Sequence, residues 1–241
     1  MIDLVNFEYF NFQITPKEYL KFAKEDLKDN SNRALINALS NAKRSIDCLI
    51  ESTLKGLSIN IENNISPEAL NFCNKVLNGK DKGIMPNTLK LFNALGLAPS
   101  ILITEVRFLR NVIEHEYKLP KREDVIRAIE VADLLINSVE SKKIKSCELL
   151  ITDKSYNKGI LFDLSYESNR FNLNSVEMPD ATHLSRKSSY SFHGDELIYY
   201  YFLRAMIIAE QDEDELFEVI KLLISEIKPT LSIKHIKCKM H

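Results

Sequence analysis

With 241 residues, 45% of them hydrophobic, and a formal net charge of -2, the chain can bury a core without disulfides or structural metals, as one large domain or two modest ones. Near-neutrality excludes broad electrostatic attraction to nucleic acid, so any RNA contact has to come from a local site. Cys48, Cys73, Cys147 and Cys238 lie far apart, with no CxxC pair and no histidines at zinc-ligand spacing; this excludes a zinc knuckle, and no metal or cofactor is expected.

The N-terminal stretch "MIDLVNFEYFNFQITP" has neither a basic region nor a continuous apolar run, and no later run is long enough to cross a bilayer. The expected chain is therefore soluble and cytoplasmic, with no membrane partner. Within that stretch, "LVNFEYFNF" is aromatic and roughly alternating, the pattern of a strand that could join a later sheet. From Thr15 to about Ser141 the pattern is helical. "TPKE" opens the first helix, with Thr15 as cap, Pro16 in the first turn and Glu18 completing a capping box. The next helix runs from about Asn32 to Leu57, with Leu35, Leu39, Ala42, Ile46, Leu49, Ile50, Thr53 and Leu54 on one stripe and Gly56 at its end. "SPEALNFCNKVL" follows with Ser66 as cap and Pro67, then the short "PNTLKLFNAL", then "PSILITEVRFLRNVIEHEY", which stops at the turn around Pro120. "REDVIRAIEVADLLINSV" closes the run with Val125, Ile129, Ala132, Leu135, Ile136 and Val139 inward. Short loops between such helices predict an antiparallel bundle.

After "ESKKIKS" the period shortens to two. "ELLITD", "GILFDLSY", "RFNLNSV" and "SSYSFH" read as strands separated by turn-forming residues. Two helices follow, "DELIYYYFLRAMIIAE" and "DEDELFEVIKLLISEI", and the tail "LSIKHIKCKM" alternates as an edge strand would. Lys234, Lys237 and Lys239 there read as charges guarding a solvated edge rather than as a nucleic-acid patch. The predicted fold class is mainly α: a helical bundle over residues 1–141 and a smaller α+β region of unassigned role over 142–241.

The densest polar chemistry is "RNVIEHEY", residues 110–117. On a helix, Asn111 and His115 stand one turn apart, as do Arg110 and Glu114, and Tyr117 returns close to the Arg110 line. Leu102, Val106, Leu109 and Ile113 border these polar stripes, so one side of the helix packs while the other offers a polar wedge suited to an interface. A bland reading makes Arg110 and Glu114 an ordinary surface ion pair. "RKSSYSFH" also places an arginine, Arg186, ahead of a histidine, His193, but in a strand pattern with a different geometry. The loose group of His183, Arg186, His193, Asp195 and Glu196 reads more simply as a turn, with Gly194 and Asp195 opening the next helix.

The helical region with "RNVIEHEY" resembles the HEPN family, helical bundles with an Rx4-6H motif on a late helix. The match is Arg110, four residues, then His115, with the polar Asn111 next to the arginine. Tyr117 extends it to Rx4HxY, the form seen in HEPN toxins paired with a minimal nucleotidyltransferase antitoxin, where the tyrosine receives AMP. The resemblance covers roughly residues 15–141. It implies an antiparallel HEPN-like bundle and a metal-independent endoribonuclease of the toxin or phage-defence kind. The catalytic residues would be Arg110, His115 and Asn111, with Glu114 supporting, Tyr117 as the AMP-modification site and RNA as the substrate. It also implies a homodimer in which two motifs share one cleft. The alternative within the same resemblance is a non-catalytic HEPN dimerisation or nucleotide-sensing module.

Overall fold

The computed structural model describes residues 4–6, 10, 12–62, 64–78, 86–99, 101–102, 104–105, 108, 119–145, 147–152, 159–167, 170–178, 187–208, 213–227 and 229. The described residues are mainly helical, and the chain divides into two compact units: Phe7–Lys142, and Met1–Asn6 together with Lys143–His241.

In the unit Phe7–Lys142, α1 spans Pro16–Asp26 and begins as its sequence requires. The Thr15 hydroxyl accepts from the Glu18 amide at 3.2 Å, and the Glu18 carboxylate accepts from the Thr15 amide at 2.8 Å. Two orphan donors of the first turn are thereby satisfied. Helix α2, Asn32–Gly56, is capped by Ser31, whose hydroxyl accepts from the Ala34 amide at 3.2 Å. Leu39, Ala42, Ile46, Leu49, Ile50, Thr53 and Leu54 are buried as the stripe predicts, while Leu35 is only half-buried. The stripe also takes in Ser45, Ser52 and Thr53, which burial would penalise if unpaired. The Ser45 hydroxyl donates to Pro16 O at 2.8 Å, and Ser52 and Thr53 both donate to Leu49 O, at 3.1 and 2.7 Å.

Helix α3, Pro67–Leu77, starts at the Ser66 cap and stops at Asn78, whose φ of 44° is the left-handed conformation that asparagine tolerates. Helix α4 is Asn87–Ala94. Residues 101, 102, 104, 105 and 108 are helical. Helix α5, Arg122–Glu140, buries Val125, Ile129, Ala132, Leu135, Ile136 and Val139. It packs on α2 and on α1. Pro16 lies beside Ser45 and Asp26 beside Asn41, so α1 runs antiparallel to α2. Lys17 pairs with Glu140 and Lys24 with Asp133, so α1 is also antiparallel to α5.

Only Leu4–Asn6 of the aromatic N-terminal stretch is a described strand. Farther along, the Phe10 amide donates to Ser52 O at 3.1 Å, and the Lys55 ammonium sits 5.3 Å from the centroids of both the Phe10 and Phe12 rings.

In the other unit, β1 (Leu4–Asn6) pairs antiparallel with β2 (Lys143–Lys145), Leu4 opposite Lys145 and Asn6 opposite Lys143. This corrects two expectations. "ESKKIKS" is not merely a change of pattern, because it contains a strand, and β1 joins that strand rather than the larger sheet. The larger sheet is an antiparallel meander of β3 (Cys147–Thr152), β4 (Gly159–Glu167), β5 (Arg170–Met178) and β6 (Lys187–Phe192), each strand hydrogen-bonded to the next. Helices α6 (Leu197–Ile208) and α7 (Glu213–Ile227) complete the unit. Helix α6 buries Tyr199–Leu203 and Met206–Ile208, and apart from Arg204 its enclosed side chains are aliphatic or aromatic, as burial on several sides requires. Its Tyr199 and Phe202 rings lie 5.3 and 5.7 Å from the ring of the fully buried Phe171 on β5, and Phe192 of β6 meets Phe202 at 5.6 Å. Arg204, buried on α6, pairs with Glu215 of α7.

Candidate functional site

Arg110, Asn111, Glu114, His115 and Tyr117 lie outside the described residues. What is described is the frame on either side of them. Upstream, Arg127 of α5 reaches Glu105, with nitrogen and oxygen 2.5 Å apart, and its guanidinium lies 5.3 Å from the centre of the Phe108 ring. The hydrogen bond to Glu105, followed by the charge of that carboxylate, raises the Arg127 pKa. One side chain thus holds a carboxylate and an aromatic ring of the same helical stretch. Downstream, Arg122 opens α5 and donates to Asn30 Oδ1 at 2.8 Å and to Leu27 O at 3.0 Å, tying this end of α5 to the C-terminal end of α1. Both anchors come from the first two turns of α5. Phe108 and Leu119 flank the motif in sequence and are 46% and 58% exposed, so apolar side chains stand in solvent on either side of it.

The competing pair is not assembled among the described residues. His183 and Arg186 lie outside them, and His193 is exposed where β6 ends. The His193 amide donates to the Glu196 carboxylate at 2.9 Å, the Glu196 amide donates to His193 O at 3.0 Å, and the Tyr200 hydroxyl donates to Gly194 O at 2.6 Å. These bonds close the turn into α6, with Glu196 rather than Asp195 supplying the described carboxylate contact. Lys234, Lys237, Lys239 and Cys238 also lie outside the described residues.

Cys73 is buried and Cys48 half-buried. The Cys48 thiol donates to Ile14 O at 3.5 Å, and burial, then the charge of Glu51, pushes its pKa up, the opposite of an activated thiolate. Among the described residues no group of three or more His, Cys, Asp or Glu side chains is placed to hold a metal ion, and no helix is long and apolar enough to cross a membrane.

A groove of about 400 Å³, which no sequence motif marks, lies between α1 and α5. Its signal is lysine at steps of four, three and four: Lys17, Lys21, Lys24 and Lys28. No protein-family model matches the chain, and no curated protein or solved structure matches it either.

Proposed function

We propose that the chain is a metal-independent endoribonuclease of the HEPN type, working as a homodimer in the cytoplasm. The observation that carries this reading is "RNVIEHEY" itself, an arginine and a histidine with four residues between them in the sequence, following a described helical stretch in a helical unit. In this reading the helical unit, Phe7–Lys142, forms the HEPN-like antiparallel bundle, and it is inserted into the α+β unit made of Met1–Asn6 and Lys143–His241.

The residue types match what the chemistry demands. Cleavage begins when the RNA 2'-oxygen attacks the adjacent phosphorus and its proton passes to a base. It ends when the P–O bond to the 5'-oxygen breaks and that oxygen takes a proton from an acid, leaving a 2',3'-cyclic phosphate. Histidine is the side chain whose unperturbed proton exchange falls near neutral pH, which is the reason His115 is assigned the part of base or acid. The Arg110 fork holds two phosphate oxygens as negative charge builds on them. Asn111, four positions before His115, is assigned to orient the ring or donate to phosphate, and Glu114 to steady Arg110. In-line displacement needs base and acid on opposite sides of phosphorus, so two copies of His115, one from each protomer, complete the site. A toxin or phage-defence role with a nucleotidyltransferase antitoxin follows from Tyr117, the position where AMP would block the cleft.

The test is cleavage of generic RNA in EDTA by the full chain and by His115→Ala, with sedimentation to read the dimer. Wild-type cleavage to cyclic phosphate ends, lost in the variant, is expected. Equal activity in both proteins removes the nuclease. Intact RNA together with a nucleotide-dependent rise in melting temperature replaces it with a sensing module.

A further inference from the structure

Arg127 touches one helical stretch at two points. Its guanidinium pairs with Glu105 at 2.5 Å and lies 5.3 Å from the centre of the Phe108 ring. These two residues are a turn apart, so one planar group holds the stretch at both and fixes its rotation about its own axis. Phe108 comes two residues before Arg110. Two residues of chain span at most about 7 Å, so Arg110 starts within that distance of the clamp whatever backbone it adopts. The far side of the motif returns to the same helix, where Arg122 is bonded to Asn30 and Leu27. Residues 109–121 therefore leave from, and come back to, the first two turns of α5.

A cation so placed can bind the RNA phosphate itself, support the fold, or position the residues that meet the phosphate. Charge argues against the first. Arg127 already faces the Glu105 carboxylate, and the charge of Asp124, one turn back on α5, also acts on it, so an arriving phosphate would meet two negative groups. Exposure argues against the second. The Arg127 side chain is 50% exposed and Phe108 46%, and ion pairs and cation–π contacts as open as these add little to folding stability. What such contacts do hold is an orientation. We propose that Arg127 is a positioning residue for RNA cleavage, acting through Glu105 and Phe108 to set where Arg110 meets the scissile phosphate. The cleavage rests on the nuclease reading of the motif; the clamp rests on described side chains.

The test is the kinetics of RNA cleavage in EDTA by the full chain, His115→Ala, Arg127→Lys and Phe108→Leu, with a thermal melt of each. Lysine keeps the charge, but its ammonium is a point and cannot pair with the carboxylate along an edge while covering the ring with a face. Leucine keeps an apolar side chain and removes the ring. Each should lower kcat about five- to tenfold, the most that contacts this exposed can hold, with KM, its salt dependence and the melting temperature near wild type. Phe108→Tyr keeps the ring and should cleave as wild type does, and the Arg127→Lys/Phe108→Leu double variant should lose little more than either single one. Wild-type kcat in Arg127→Lys overturns the proposal. So does a raised KM whose salt slope flattens by about 0.7, the mark of a lost phosphate contact, or a fall in kcat that both single variants match with a fall in melting temperature. No cleavage by the wild type, or equal cleavage by His115→Ala, removes the nuclease reading and this proposal with it, whereas failure of the Arg127 and Phe108 arms alone leaves the nuclease standing.

Discussion

Leu134 and Leu135 are neighbours on α5 with opposite fates: Leu134 is 55% exposed and Leu135 is fully buried. Truncating each to alanine makes the same chemical change at almost the same helix position, so the difference between the two variants isolates packing. Leu135→Ala removes three buried carbons at about 0.8 kcal/mol each, and the cavity left behind brings the cost to roughly 3 kcal/mol. Leu134→Ala removes the same carbons from a half-wet site and substitutes a slightly better helix former, so its net cost is about 0.5 kcal/mol or less. Urea unfolding followed by far-UV ellipticity reads the contrast. With an m-value of about 2–3 kcal/mol/M, the Leu135→Ala midpoint should fall by on the order of 1 M and the Leu134→Ala midpoint should barely move. Equal shifts in the two variants would refute the described orientation of α5 and, with it, the placement of the Arg122 and Arg127 anchors.

Glu18 supplies a pH signature. Hydrogen bonds from the Thr15 amide, then from its hydroxyl, hold the carboxyl below its ordinary range, so the stability it contributes is present at neutral pH and lost as pH falls through the folded-state value. Wild type should therefore exceed Glu18→Gln most clearly at neutral pH, the two curves converging in acid; a gap that widens in acid contradicts the capping box. For Tyr117, co-expression with a cognate nucleotidyltransferase should add about 329 Da per AMP, absent in Tyr117→Phe, and modified protein should no longer cut RNA. Mass found on another residue, or continued cutting by modified protein, removes that switch.

Local signals carried the elements that they dominate. Thr15, Ser31 and Ser66 cap three helices because a hydroxyl ahead of an apolar period satisfies orphan amides whatever lies beyond. The α5 stripe and the four meander strands are legible for a similar reason, since periodicity and turn residues lie within one window. Lys143–Lys145 gave no such signal: three residues are too few for a period, and the partner strand is at the other end of the helical region. Burial of Ser45 was hidden as well, because the acceptor that makes it tolerable, Pro16 O, belongs to another helix. The lysine row was visible as spacing on α1 but became a groove only with α5 opposite. The motif is the reverse case, spelled out in sequence while its residues lie outside the described ones.

The β1–β2 ladder gives the chain the topology of a guest inserted into a host. Asn6, the last residue before the helical unit, faces Lys143, the first residue after it, across an antiparallel pair. The helical unit therefore leaves and re-enters its host through adjacent strands, in the way a loop leaves and re-enters a hairpin. A short turn joining Asn6 to Lys143 in place of the insertion would make β1 and β2 an ordinary hairpin, because the two ends of the insertion are already neighbours.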